Sequence, residues 1–459
     1  MARHFAYPLS RGTGAGEVHL KVESNWDLKD LYDVIAIIPG SVAPDEWIIR
    51  ANHHDAWVNG AEDPVSAQVA LLEEARAMGE LLKQGWKPRR TIIYAAWDGE
   101  EPMLLGSTEW VEAHAAELRQ HAAVYLNTDG NDRGLLNMGG SHTLEQFING
   151  VAREITDPET GMTVWQRLRL SEIARAKSPD ERRELRQRAD LRIAALGSGT
   201  DFTAFLDHLG IASLDLGYGG EDEQGIYHSI YDDFYWYMHF SDTNFVYGRA
   251  LAQTLGTAVL RLAGAEVLPF DFVDFADTVQ KYTKDLEKLL ADKQQEIRER
   301  NQELDEGVFK ATLDPRHLTV APPREDVPPH LNFAPMENAG DSLTRSAGHY
   351  RQALSHAQSA LDAERVLEAL RVLNQQLIES ERRLTSAAGL PRRPWYKHLL
   401  YAPGVYTGYG VKTVPGVREG IELKRYAEAE EEIARVAKAL EEESSLIESA
   451  ALQLEQMGR

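Results

Sequence analysis

Short β-rich runs alternate with amphipathic stretches over the first 265 residues, and this alternation limits the fold more than any other feature. Val34–Ile38 and residues 47–50, 91–97 and 124–127 read as strands. Between them, residues 66–83 place Val69, Leu72, Met78 and Leu82 close to a 3.6-residue period, and residues 107–121 read as a second helix. Such alternation predicts an α/β fold, a mixed sheet with helices on both faces. Residues 152–194 interrupt it with Arg and Glu and read as a charged surface excursion, while 245–263 reads as a long apolar helix. From about Leu268 the pattern becomes Leu/Ala-rich with dense charge over residues 277–300, 343–385 and 425–456. A Pro-rich connector (Asp314-Pro315, Pro322-Pro323, Pro328-Pro329) separates the first two of these. The expected organisation is an α/β domain over 1–265 and an all-α domain over 266–459.

Composition excludes several chemistries. The 459 residues contain no cysteine, so disulfides and thiolate chemistry are absent and any metal must rest on His, Asp and Glu. A formal charge of −23 disfavours nucleic acid and anionic membrane surfaces as partners. No run approaches the ~18 apolar residues of a membrane span, and the opening residues lack the apolar core of a signal peptide.

The residues just beyond each strand point to chemistry. Ala51-Asn-His-His-Asp55 comes after the second run, Asp98-Gly-Glu-Glu101 after the third and Thr128-Asp129 after the fourth. Ligands of open α/β sheets gather beyond the carboxyl ends of strands, so His and carboxylates converge on one edge. Each motif alone has an ordinary reading. Asp63-Pro64 could be a helix cap followed by a first-turn proline, Glu100-Glu101 an acidic helix start, and His228 and Tyr227 core packing. Three successive strand ends delivering His and carboxylates favour a metal or acid/base site.

These residues carry a resemblance. His53-His-Asp55-Ala-Trp57, Asp63-Pro64, Trp97-Asp-Gly-Glu-Glu101, Leu105-Gly-Ser-Thr-Glu-Trp110, Leu196-Gly-Ser-Gly-Thr-Asp-Phe202 and Tyr227-His-Ser229 resemble the glutamate carboxypeptidase and transferrin receptor family. So do Leu390-Pro-Arg-Arg-Pro-Trp395 and Tyr401-Ala-Pro403. The resemblance implies a di-zinc exopeptidase. By it, His53 and Asp129 match ligands of one zinc, Glu101 and His228 those of the other, and Asp63 the bridging carboxylate. Glu100 matches the general base, Tyr227 a hydroxyl that steadies the tetrahedral intermediate, and Asp55 the carboxylate that orients the metal-bound imidazole. Glu109 and Glu112 match two acids of a calcium site. The helical half resembles a dimerisation domain, so a homodimer is expected, and relatives imply a periplasmic or secreted setting.

Three departures modify these expectations. With 52 residues before His53, the family's apical domain is expected to be missing. Asp215, Gly217 and Gly408 stand where glutamate-selecting members place cations, which favours an aminopeptidase or dipeptidase over a glutamate carboxypeptidase. Met103 stands where relatives have glycine, predicting a strained backbone. Two other readings compete: a non-catalytic scaffold like the transferrin receptor branch, and a metal-dependent deacylase or glutaminyl cyclase.

Overall fold

A computed structural model describes residues 19–222, 225–312, 316, 320–358 and 367–458. The described residues from Tyr32 onward form one compact unit; residues 19–31, which are separate from it, contain neither helix nor strand. The Asp314-Pro315 step of the connector lies outside the described residues.

Six strands build the main sheet: β1 (Val34–Ile38), β2 (Ala43–His53), β3 (Arg90–Trp97), β4 (Ala122–Asn127), β5 (Gly134–Gly140) and β6 (Ser213–Gly220). Their order is β1-β3-β2-β4-β6-β5. The inner strands β3, β2, β4 and β6 are parallel, and the edge strands β1 and β5 are antiparallel to their neighbours. Ile48, Ile49, Arg50, Ala51, Asn52 and His53 on β2 are all buried. Successive strand residues point to opposite faces, so both faces are covered, as parallel sheets require. Full burial of a side chain such as Ile48 or Ile49 stabilises the fold by about 1.5–3 kcal/mol.

Register then positions the chemistry. His53 pairs with Trp97 and Ala51 with Asn127, so β2, β3 and β4 end side by side at one sheet edge. The helix expected over 66–83 spans Ala67–Lys83, and the apolar helix near 245–263 spans Val246–Gly264. The helix expected over 107–121 is instead two, Leu105–Ala113 and Ala115–His121. They part at His114, whose Nδ1 lies 2.8 Å from Trp110 O. The charged excursion folds as two helices. Val164–Arg175 starts in a capping box between Thr163 and Gln166, and Pro179–Gln187 starts at a Ser178 cap.

The C-terminal half is helical, with Val273–Glu306, Ala334–Gln358, Leu367–Ile378 and Tyr426–Met457 as its main elements. It also holds a two-stranded ladder, β7 (Tyr401–Pro403) against β8 (Val411–Thr413). Among the described residues no helix is long and apolar enough to cross a membrane. Ala334–Gln358 packs along Tyr426–Met457, where Ser346 Oγ meets Ser444 Oγ at 3.2 Å. Leu343, Ala347 and Tyr350 on the first helix are buried, as are Leu440, Ile447 and Leu454 on the second.

Glu443 is wholly buried in this helical core. Its Oε1 accepts the Ser380 hydroxyl at 2.6 Å, while Oε2 has no partner among the described residues. Burial raises this carboxyl to about 8, against the pull of the Ser380 hydrogen bond. In the unfolded chain it would titrate near ~4.3. Folding therefore takes up a proton between those values, so the group's contribution is fully present below the unfolded value and is lost as pH rises toward 8. Glu443→Gln is expected to melt several degrees above the parent at pH 8, with the gap closing by pH 5. Thermal unfolding at the two pH values checks this; a gap independent of pH contradicts it.

Candidate metal centre

Side chains from three strand ends and two loops meet at this edge. His53 ends β2; its Nε2 lies 3.1 Å from Asp129 Oδ1 and 3.2 Å from Asp63 Oδ1. The His228 Nε2 lies 3.4 Å from Asp63 Oδ2 and 2.9 Å from Glu101 Oε2. Two groups of ligand atoms result, His53/Asp63/Asp129 and Asp63/Glu101/His228, and they share Asp63. The structure therefore brings together His53, Asp63, Glu101, Asp129 and His228, with each oxygen of Asp63 turned to a different imidazole.

Local chain geometry explains how. Asp63 is no helix cap. Its backbone is non-helical (φ −110°, ψ 100°) within the irregular turn Ala61–Ser66, and Ser66 sits at the start of the following helix. The Asp232 carboxylate holds that turn, accepting the Glu62 N–H at 2.7 Å and the Asp63 N–H at 3.1 Å. Asp55 faces the other side of the His53 ring, with Oδ1 3.5 Å from Nδ1. The same carboxylate accepts the Glu100 and Glu101 N–H groups at 3.0 and 3.2 Å, which fixes the turn after β3. Met103 in that turn has φ +104° and Leu104 φ +58°, as expected of a position that relatives give to glycine. His54 turns elsewhere, its Nε2 3.0 Å from Tyr32 O.

Electrostatics are those of a carboxylate-rich pocket. Burial, and then the charge of Asp129, raise the Glu100 carboxyl to about 9. Burial and the neighbouring Asp63 raise Glu101, and burial raises Asp63 against the pull of His53. Burial alone would lower His53, but hydrogen bonds to Asp129, Asp55 and Asp63 hold it far above its ordinary value. Asp63 Oδ1 is buried without a well-aligned donor. An orphaned carboxylate oxygen between two imidazoles, among crowded acids, is a donor set that fits divalent zinc. Bound cations would invert the local pKa pattern.

Glu100, Asp129, Tyr227 and His228 line a cavity of about 490 Å³. The Tyr227 ring stacks on His228 at 3.7 Å between centroids. Trp395, Tyr396 and Tyr409, all from the helical half, form another part of its wall. Tyr409 O accepts the Ser198 N–H at 3.1 Å, and a Cβ on Gly197 would meet that oxygen at 2.2 Å, so only glycine permits this approach. Among the described residues no lysine or arginine lines the cavity, whereas Glu62 does. Glu112 Oε1 accepts the Trp395 indole N–H at 2.7 Å, and neither Glu109 nor Glu112 joins a ligand group among the described residues.

Sequence reasoning missed Glu62, Asp232 and the part played by Trp57. The Trp57 N–H donates to Glu101 Oε1 at 2.8 Å, and its ring stacks on His228 at 5.7 Å. Asp232 follows His228 by four residues, but nothing in that stretch marks it as the partner of a turn 170 positions away.

Comparison with known proteins gives two family matches. Residues 33–243 match peptidase family M28, and residues 331–448 match the transferrin receptor-like dimerisation domain. The probable glutamate carboxypeptidase LAMP1 of Arabidopsis thaliana is 33% identical over 418 residues, covering 91% of this chain and 52% of that protein. A probable glutamate carboxypeptidase of Arthroderma benhamiae is 32% identical, covering 89% and 50%. Aminopeptidase NAALADL1 of Rattus norvegicus is 29% identical, covering 92% and 51%. The chain thus spans about half the length of the curated relatives it matches. Among solved structures, a zinc aminopeptidase from Bacillus subtilis aligns with a TM-score of 0.35 at 18% identity, over 51% of this chain and 50% of that one, too distant to carry weight. Over residues 33–243 the chain belongs to peptidase family M28, and over residues 331–448 it carries a transferrin receptor-like dimerisation domain.

Proposed function

We propose that this chain is a zinc metallopeptidase acting as an exopeptidase, an aminopeptidase or dipeptidase rather than a glutamate carboxypeptidase. The observation that carries the reading is Asp63, whose two oxygens face His53 in one ligand group and His228 in the other. His53 and Asp129 would hold one ion, Glu101 and His228 the second, with Asp63 between them. Bound zinc supplies Lewis acidity, polarising the scissile carbonyl and making a water nucleophilic near neutral pH. Glu100, in the cavity wall, takes the water's proton on its carboxylate and returns it to the leaving amine. Tyr227 offers its hydroxyl to the carbonyl oxygen as charge develops there. Asp55 orients the His53 ring and pins the Glu100 backbone.

The substrate class is set by charge. The curated relatives are named both glutamate carboxypeptidases and an aminopeptidase. With bound zinc balancing Asp63, Glu101 and Asp129, the cavity offers, among the described residues, no lysine or arginine, so a terminal γ-carboxylate would find no cationic side chain there. Asp215, whose carboxyl burial raises to about 7, lines an adjoining cleft rather than this cavity. The helical half is the proposed homodimer contact, and the division near residue 265 is the proposed domain boundary.

One preparation tests the reading. The protein is expected to hold about two zinc ions, as a co-catalytic pair requires, to lose activity to chelator and to run as a dimer in light scattering. It should hydrolyse amino-acid anilides and unblocked dipeptides, but not amino-terminally blocked peptides ending in glutamate. Calcium at Glu109 and Glu112 would show as an ion removed by a calcium-selective chelator. Well-folded protein that takes up no zinc would support the scaffold reading instead.

A further inference from the structure

Behind the ligand groups runs a buried chain of hydrogen bonds that the chemistry above does not use. Arg50 lies on β2 three residues before His53 and is wholly buried. Its Nε donates to Glu74 Oε2 at 3.1 Å, and Nη1 donates to Ala51 O at 2.6 Å and Thr128 Oγ1 at 2.8 Å. Nη2 has no partner. Glu74 Oε1 accepts the Tyr94 hydroxyl at 2.9 Å. The Thr128 hydroxyl donates in turn to Asn52 Oδ1, and Asn52 Nδ2 donates to His53 O at 2.8 Å.

As a source of stability this network is poor. Desolvating a guanidinium and a carboxylate costs several kcal/mol per ion, and well-packed apolar residues often serve a core as well or better. Here an N–H is left unmatched besides. What the network does have is location. Arg50 and Asn52 share β2 with His53; Thr128 adjoins Asp129 beyond β4; Glu74 stands on Ala67–Lys83, the helix that continues from the turn carrying Asp63. The three elements bearing the His53/Asp63/Asp129 group are thus tied to one rigid, planar guanidinium and one hydroxyl. A metal site tolerates little error, because zinc bonds to nitrogen and oxygen ligands are held near ~2.0–2.2 Å.

We propose that Arg50 and Thr128 are positioning residues that set the spacing of His53, Asp63 and Asp129, and hence the affinity of that group for its metal. The inference rests on reading the group as a zinc site. Two variants test it. Thr128→Val keeps the shape and removes the hydroxyl that links Arg50 to Asn52. Arg50→Met with Glu74→Met removes both buried charges together, so neither is left uncompensated. The measurements are the zinc dissociation constant by competition with a chromophoric chelator, the visible spectrum of the cobalt(II)-loaded protein, and thermal unfolding of the metal-free protein.

Thr128→Val is expected to bind zinc about 10–100-fold more weakly, the range for loss of a partner that orients a ligand. Its cobalt spectrum should change, and its folded fraction should bind zinc more weakly than the parent whatever the lost hydrogen bonds cost in metal-free melting. The double variant should weaken zinc binding similarly. Parental affinity and an unchanged cobalt spectrum in Thr128→Val overturn the inference, whether or not the double variant folds. So does a variant that loses stability while its folded fraction binds zinc as tightly as the parent, since that marks a merely structural role. A parent chain that binds no zinc overturns the reading of the site first, and the inference falls with it.

Discussion

Glu100→Gln is expected to keep its metal and lose about 10²–10⁴-fold in turnover, the span typical of a positioned general base. The substitution is nearly isosteric. Asp55 holds residue 100 through its backbone N–H, so the turn after β3 should persist. Glu101, the neighbouring proposed ligand, is held through its own N–H and is untouched. An amide cannot take up the proton of the attacking water, so kcat should fall while KM moves little. Metal analysis beside steady-state kinetics on one anilide checks both halves. Parental turnover in a metal-loaded variant would remove Glu100 from its role.

Asp63→Ala should be more severe still. His53, Asp129, Glu101 and His228 each belong to one group, whereas Asp63 belongs to both. Deleting its carboxylate takes an oxygen from each group at once and leaves two imidazoles facing an acidic pocket. Zinc content is expected to fall from about two ions per chain to near none under dialysis, with hydrolysis at background. Asp129→Ala offers the contrast, because it strips only the His53 group. If Asp63→Ala still carried two ions after dialysis, the bridging arrangement would be wrong.

The parallel middle of the sheet and its edge of ligands were legible for a physical reason. β2, β3 and β4 are buried on both faces, which demands Ile, Val and aromatic runs, and such runs stand out from the polar turns beyond them. β5 and β6 were not visible as strands. Gly134–Gly140 and Ser213–Gly220 contain no Val, Ile or Thr, and they pair through glycines. A Cβ on Gly134 would lie 2.0 Å from Gly219 O, so close approach of the backbones replaces the side-chain pattern that marks an ordinary strand.

Around the metal groups the same division holds. His53, Asp55, Glu100, Glu101 and Asp129 announce themselves by their places after strands, whereas Asp63 and His228 become visible only through the resemblance. Glu62 and Asp232 had no such mark, because their part depends on a turn folding back across 170 positions. Met103 was readable from a single substitution, since a side chain in a glycine position must accept positive φ. The buried Arg50–Glu74 pair was invisible for the opposite reason: within its strand and its helix each residue reads as a surface charge.

Trp395, Tyr396 and Tyr409 give the helical half a second job. The stretch of chain matched to dimerisation also supplies masonry for the chamber in which a peptide would be cut. A gene fragment that encoded the sheet alone would keep every ligand yet leave one side of that chamber open to bulk water. None of the three lies on a helix, and Tyr409 sits in the loop between β7 and β8, so substitutions within the matched stretch can reshape the cavity wall without touching any of the five grouped side chains.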